Sequence, residues 1–401
     1  MNLRTLAANL QGVRFNIYLP VGQVLQLGQD DPAIDWHVHS ERTLSKILRN
    51  PRLEPARSYL RGDWDVDTSQ LPVLLLALAQ ASTPALSTPT LVTRLRHAWP
   101  AAQRAGPAPP RWQDTDLWLS RICLGEELFQ GCAHYSEPGI SLEQAQRVRC
   151  RELAARLRLE PGQHLLDISA GWGALPLYLA EHTGVRVTGL VTTREQLQYA
   201  HSEARRRGLS ATVHFRLGGV HRCQGRFDRI LGCELSGQNR RPALRALIEH
   251  LAGLLTEDGM LWLQLTGRRE HDRNKLRYPG PWPTVDTAPP LSALHSALEQ
   301  AQLCSLLQEN LSDYLLKDLH TRARRFHHRR AAIARRFGER CTRYWELRIA
   351  CEIIAVQTRQ VMQYELVLGR YGAHWPGPGN GDESRLPLEV TRRIPGLARD
   401  I

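Results

Sequence analysis

The chain has 401 residues, 42% hydrophobic and 23% charged, a composition that supplies a sizeable core and excludes fibrous and wholly disordered classes. Fifty-two Lys and Arg residues against forty Asp and Glu give a formal net charge of +12, which predicts an anionic partner, either a membrane surface or nucleic acid. No apolar run approaches the roughly 18 to 20 residues that span a bilayer and no secretion signal opens the chain, so a cytoplasmic protein is expected.

Residues 14 to 40 alternate apolar and polar side chains (FNIYLPVGQVLQLG, then IDWHVHS), with Pro20, Gly22 and Gly28 as turn signals. That pattern predicts short strands. His37 and His39 share one strand face with no third ligand nearby, so they are read as strand-face histidines and no metal site is expected. From Leu44 the pattern turns helical, and SYLRGDWDVD (58–67) leads into the apolar LPVLLLALAQA. Residues 1–81 are thus expected to form a small α+β domain. The proline- and alanine-rich stretch 82–111 reads as a linker interrupted by one short helix at Leu91 to Ala98.

A second domain is expected over 112–370. Its elements are a helix at Leu142 to Leu159, a strand at His164 to Ile168, a helix at Ala174 to Thr183 and a strand at Val185 to Leu190. A helix at Arg194 to Arg207 follows, then strands near Thr212 to Leu217 and Arg229 to Cys233, a helix at Pro242 to Leu255 and a strand at Met260 to Leu265. This βαβα order predicts a mostly parallel sheet with helices on both faces and a ligand at the carboxyl ends of its strands. Residues 371–401 read as a tail. The eight cysteines include no CxxC pair, which predicts reduced thiols and neither a disulfide framework nor a zinc site.

Between Arg322 and Arg340 arginines alternate with Phe326, Ile333 and Phe337 at helical spacing. Two readings stay open: a helix that lies on lipid headgroups, or a solvated face whose aromatics pack inward. No zinc-finger, RNP or basic-zipper pattern accompanies the charge, so no nucleic-acid partner is expected.

The run HLLDISAGWGAL (164–175) reads as a buried strand ending in an acid, a small-residue turn and the start of a helix. Gly171 and Gly173 let a backbone approach a nucleotide-like cofactor closely. The run lacks the spacing of a dinucleotide fingerprint and the Gly-Lys-Ser/Thr of a phosphate loop. It resembles the first motif of class I S-adenosylmethionine-dependent methyltransferases. LGEELF (124–129), CAHYS (132–136), LEQAQ (142–146), VTGL with REQLQYA (187–200) and GRFDRI (225–230) follow the order and spacing of cyclopropane-fatty-acyl-phospholipid synthases. FNIYLP and SYLRGDWDV resemble that family's small N-terminal domain.

The resemblance implies a class I methyltransferase fold, Rossmann-like, behind a small α+β domain. It also implies S-adenosylmethionine as cofactor and bicarbonate as the base. The substrate would be an unsaturated phospholipid acyl chain, methylated at its cis double bond to a cyclopropane or methyl-modified product. A homodimer, peripherally associated with the inner face of the membrane, is implied as well. Carried over by position, Cys132 falls on the family's active-site cysteine and Tyr314 on its late tyrosine. Asp167, Ser169, Gly171, Gly173, Leu190 and Gln196 fall on the cofactor site. Gln264 takes the place of the bicarbonate-binding histidine; glutamine still donates a hydrogen bond but carries no positive charge.

Other positions depart from the family. Arg121, Ile122 and Cys123 replace a polar cofactor contact, Val191 a threonine, and Gly219 an aspartate. Ser169 replaces a glycine, at a cost of about 1 kcal/mol if its φ is positive. An ungapped alignment puts Gly237 and Gln238 at the family's glutamate and histidine, whereas a three-residue gap brings Glu234 to the glutamate. These substitutions keep an alternative open: a catalytically degenerate relative acting as a lipid-binding or regulatory partner.

Overall fold

The computed structural model describes residues 3–10, 12–51, 54–81, 116–233, 241–268 and 288–372. The 82–111 stretch with its Leu91 to Ala98 helix, Glu234, Gly237 and Gln238, and all but the first two residues of 371–401 lie outside these. The chain divides into two units.

The first unit opens with α1 (Leu3–Asn9), β1 (Arg14–Tyr18), β2 (Val24–Leu27), β3 (Ala33–Val38), α2 (Glu41–Arg49), α3 (Glu54–Arg61), β4 (Trp64–Asp65) and α4 (Leu71–Ala81). Its sheet has the order β2-β1-β3-β4, with β1 antiparallel to β2 and parallel to β3. The alternation read from the sequence is the physical cause: Phe15, Ile17, Ile34, Trp36 and Val38 point into one core. His37 stacks on Tyr18 at 4.6 Å, and His39 bonds the Gly62 carbonyl and Asp65.

In the second unit, α5 (Leu117–Leu124) and α6 (Leu142–Arg156) precede β5 (His164–Asp167), α7 (Ala174–Thr183), β6 (Arg186–Val191), α8 (Arg194–Arg206), β7 (Val213–Leu217), β8 (Phe227–Cys233), α9 (Arg241–Leu254), β9 (Leu255–Arg268), α10 (Leu291–Gln300) and β10 (Leu303–Asn310). With β11 (Val361–Arg370) they form a seven-stranded sheet in the order β10-β11-β9-β8-β5-β6-β7. The pairs β5–β6, β5–β8, β6–β7 and β8–β9 are parallel, and β10–β11 is antiparallel.

Successive strand residues feed opposite cores. Leu166, Ile230, Leu261 and Leu263 join α9 and α10 on one face, while Leu165, Leu231, Met260 and Trp262 join α6, α7 and α8 on the other. Both faces are therefore buried. Capping boxes set two helix starts, Ser141 with Gln144 at α6 and Thr193 with Gln196 at α8. The sequence reading left β10 and β11 unassigned. In β11 eight of ten residues are buried, so no alternation marks it as a strand.

From Leu319 onward, to Val361, the chain is counted with the first unit, whereas the sequence reading ended that domain at residue 81. The elements are the later part of α11 (Ser312–His328), then α12 (Arg330–Phe337) and α13 (Glu339–Gln357). Leu347, Ala350, Cys351 and Ile354 of α13 complete the core that Phe15, Trp36 and Trp64 begin. A four-stranded sheet with short helices buries too little apolar surface alone, and α13 supplies the rest.

The basic run takes the inward-packing arrangement. Phe326 and Ile333 are buried, Phe326 and Phe337 meet Trp345 edge-on, and Arg330 pairs with Glu339 and Glu346. Arg324, Arg329, Arg335, Arg336 and Arg340 stay exposed. None of the eight cysteines is in a disulfide. Among the described residues no helix is long and apolar enough to cross a membrane.

Two glycines give a paired test of this packing. A Cβ at Gly189 of β6 would stand 2.8 Å from the Phe215 ring and 3.0 Å from the Ala170 Cβ, so Gly189→Ala is expected to cost about 1 to 3 kcal/mol. Gly253, exposed in α9, has open space around it, and Gly253→Ala is expected to stabilise by roughly 0.5 to 1 kcal/mol. Urea denaturation of the two variants reads both signs.

Candidate active site

The central strand β5 ends at Asp167, and the chain leaves the sheet by bonding both flanking strands. Ile168 N–H donates to the Leu231 carbonyl at 2.9 Å and Ala170 N–H to the Leu190 carbonyl at 3.0 Å. Ser169 does not take the strained conformation that would have cost stability, since among the described residues the non-glycine positions with positive φ are Leu128, Arg158, Gln302 and Arg359. Instead it has structural work. Its N–H donates to Asp167 Oδ1 at 2.8 Å, its hydroxyl donates to the same oxygen at 3.3 Å, and the hydroxyl oxygen accepts from Cys233 N–H at 2.7 Å. Asp167 is buried, and burial pushes its carboxyl up to about 6 against the opposing pull of Ser169 and Arg149.

Gly171 (φ +54) and Gly173 (φ +86) differ in what crowds them. A Cβ on Gly173 would meet the Phe215 ring at 2.8 Å and Ala200 at 2.9 Å, whereas on Gly171 it would meet the side-chain amide of Gln130 at 2.6 Å. Both positions require glycine, but the groups that approach are protein side chains. Gln196 is fully buried at the start of α8. Its Oε1 accepts from Thr192 N–H, Thr192 Oγ1 and Thr193 N–H at 3.0 to 3.3 Å, while its Nε2 is buried with no hydrogen-bond partner. Val191 ends β6 fully buried, and a Cβ at Gly219 would meet nothing within 4 Å.

Cys132 lies in a stretch between α5 and α6 without regular structure, and buried side chains hold that stretch in place. Gln264 of β9 pairs with the Cys132 peptide on both sides: Oε1 accepts its N–H at 2.7 Å and Nε2 donates to its carbonyl at 3.3 Å. Arg149 Nη1 donates to the Gln130 carbonyl at 2.6 Å and the Cys132 carbonyl at 3.4 Å. Gln146 Nε2 donates to the Leu124 and Phe129 carbonyls, and Asp318 of α11 accepts from Ala133 N–H and from Tyr135 Oη. Gly131 takes a φ of +94° that favours glycine, and a Cβ there would collide with the Arg149 and Gln264 groups that hold the loop.

Tyr314 of α11 faces the His134 ring at 4.8 Å and the Tyr135 ring at 6.0 Å. Burial, with Glu152 and Glu309 nearby, raises its pKa, so it holds its proton near neutral pH. His134 pairs with Glu152, and Arg156 draws Glu152, Glu309 and Glu365 together.

The structure thus brings Cys132 against Gln264, and the Gly171 turn against Gln130 of the cysteine loop. Gln130, Gln146, Arg149 and Asp318 escaped the sequence reading. Gln146 and Arg149 had a signal: polar residues three apart on the helix face that also carries Leu142, Ala145 and Leu153. Two cavities of about 330 and 440 Å³ share Trp172 and Tyr199 in their linings.

A family model described as mycolic acid cyclopropane synthetase matches residues 115–364. A probable fatty acid methyltransferase of Pseudomonas putida is 25% identical over 240 residues, 57% of this chain and 60% of that protein. The cyclopropane-fatty-acyl-phospholipid synthase of Escherichia coli K12 is 26% identical over 257 residues, 60% of this chain and 63% of its own length. The chain therefore spans less than two thirds of either relative. A solved mycolic acid cyclopropane synthase complexed with SAH and CTAB superposes with a TM-score of 0.58 at 16% identity, covering 62% of this chain and 93% of its own. The expected class I methyltransferase fold, with an α+β N-terminal region, is the fold found.

Asp167 carries a pH test. Its folded pKa, about 6, lies above the unfolded value near ~4, so between those two pH values the folded chain binds more protons and stability falls as pH rises. Asp167→Asn removes this dependence while keeping an acceptor oxygen. Urea melts are expected to show the variant gaining on the parent by roughly 2 to 3 kcal/mol from about pH 4 to pH 7. A difference that stays flat over that range refutes the assignment.

Proposed function

The chain belongs to the mycolic acid cyclopropane synthetase family, and on that premise we propose that it transfers a methyl group from S-adenosylmethionine to the cis double bond of an unsaturated phospholipid acyl chain. A cyclopropane or methyl-modified chain is the product. The observation that carries this reading is the junction of the two motifs at Gln130. Two residues before Cys132, its amide presses on Gly171, which makes one site of the cysteine loop and the glycine turn. Support comes also from the lipid chemistry in the relatives' names and from the SAH, the demethylated cofactor, held by the solved neighbour.

The residues present fit such a cofactor. Asp167 offers a buried acceptor to its amino-acid end, and the amide nitrogens of Gln130 and Gln196 are buried donors with no hydrogen-bond partner, the condition of groups that a ligand completes. When bound, the cofactor supplies a methyl group on a cationic sulfur, the electrophile that a weakly nucleophilic alkene requires. Buried Leu128, Phe129 and Cys132 keep water from the site, where an alkene must be held at reacting distance. Tyr314 keeps its proton on Oη and serves as a donor there, not as a base. Gln264 fastens the Cys132 peptide. The exposed arginines from Arg324 to Arg340 suit anionic headgroups on the cytoplasmic membrane face. No specific observation favours the degenerate alternative: Ser169, counted towards it, sits without strain.

Vesicles of cis-unsaturated phospholipid incubated with methyl-labelled cofactor and the full chain are expected to gain label in the acyl chains. Absence of label where an active relative transfers it defeats the proposal. For the membrane face, replacing Arg324, Arg329 and Arg335 with Gln is expected to weaken sedimentation with anionic vesicles by roughly 100-fold at low salt, at about 1 kcal/mol per cation. Unchanged sedimentation would place the docking face elsewhere.

A further inference from the structure

The cavity of about 330 Å³ takes two of its walls from the chain segments that make the proposed site. Leu128 belongs to the stretch that runs on to Gln130 and Cys132, and Trp172 stands between Gly171 and Gly173 of the turn. Trp172 and Tyr199 meet edge-on with ring centroids 5.7 Å apart, and with Leu128 and Leu177 they give the cavity an apolar part. A group seated there adjoins the place where the acyl chain of the proposed substrate reacts. The remainder of that lipid is polar, and the rest of the lining is charged.

Its charges balance. Arg121, Arg206 and Arg207 line the cavity together with Glu126, Glu127 and Glu203, so a chain of net charge +12 places no excess of cations here. The adjoining 440 Å³ cavity, which shares Trp172 and Tyr199, adds Asp116 and Glu195 and no Lys or Arg. An anionic headgroup would meet carboxylates with no surplus of arginine to offset them, whereas a zwitterion finds a partner for each of its charges. Neither sign is locked away. Arg147 holds Glu127, but the Glu126 side chain is 84% exposed and its contact with Arg121 is 3.4 Å. Arg206 is 66% exposed and pairs with Glu203 along its own helix. Exposed pairs of this kind contribute little, so a ligand that carries both a phosphate and an ammonium can exchange them for bonds of its own. Tyr199 already takes a cation near its ring, with Arg121 Cζ 5.9 Å from the centroid.

We propose that this cavity seats the headgroup of a zwitterionic phospholipid, the phosphate on Arg206 and Arg121 and the ammonium on Glu126 beside the aromatic corner. It thereby selects zwitterionic over anionic lipids for the acyl site. The selection rests on the proposed methyl transfer, but headgroup binding does not.

Binding is read by calorimetry on the full chain without cofactor, using monomeric dihexanoyl phosphatidylethanolamine and dihexanoyl phosphatidylglycerol, which have no double bond to react. The ethanolamine lipid is expected to bind at least about ten-fold more tightly. Glu126→Gln is expected to weaken that lipid about ten-fold and leave the glycerol lipid unchanged, while Arg206→Gln weakens both. Both side chains are exposed, so neither variant threatens the fold. Equal affinities for the two lipids, or an ethanolamine preference that survives Glu126→Gln, overturn the inference. In mixed vesicles of the two cis-unsaturated lipids, label from the cofactor is expected to favour the ethanolamine lipid in the parent and to spread evenly in Glu126→Gln. Even labelling by the parent overturns the selection. Absence of label from both lipids defeats the methyl-transfer proposal instead, and the calorimetry still decides whether the cavity holds the headgroup.

Discussion

The peptide of Cys132 has no strand or helix to bond to, yet it is buried, and the organisation of the site follows from how that demand is met. A buried N–H and carbonyl each need a partner. Gln264 satisfies both at once, offering its amide as a neighbouring strand would offer its backbone. Arg149, Gln146 and Asp318 satisfy the peptides to either side. These side chains come from β9, α6 and α11, so the loop takes its shape from elements far apart in sequence. None of the four is more than 2% exposed, and loss of any one would strand a buried polar group, at about 1 to 3 kcal/mol.

Electrostatics at the site are arranged by burial more than by pairing. Asp167 and Arg149 feel each other, but each is hydrogen-bonded to something else. The acid is raised toward neutrality, and the guanidinium holds the Gln130 and Cys132 carbonyls. Nearby, Arg156 gathers three carboxylates, including Glu309 of β10 and Glu365 of β11, and so ties the antiparallel pair to α6. Part of the chain's excess of arginine is used in this way. In the first unit Arg330 and Arg343 likewise serve buried or half-buried contacts with Glu339, Glu346 and Asp65. The net charge thus overstates the cation left for a partner.

Much of the parallel sheet was legible because its local cues agree. His164–Asp167 runs apolar into an acid, the capping boxes at Ser141 and Thr193 mark helix starts, and Gly184 closes α7 in a left-handed conformation. Tyr344 and Trp345 are buried in α13. β10 and β11 escaped because near-continuous burial of β11 erases the period that sequence reading relies on. The cost of Ser169 hung on a φ that sequence does not give. Its φ is not positive, and its hydroxyl bridges Asp167 and Cys233, a link that glycine does not offer.

By itself the sequence determined the family, the order of strands and helices through the central domain, and the residues that line the turn after Asp167, because caps, alternation and turn chemistry act over a few neighbouring residues. Only the tertiary structure decided that Leu347, Ala350, Cys351 and Ile354 complete the N-terminal core, that Gln130 meets Gly171, and that Gln264 and Arg149 are spent on the peptides of the Cys132 loop. The first depends on apolar faces that meet from distant parts of the chain, the others on side chains that meet across a loop or a packed sheet, and no local pattern encodes those meetings.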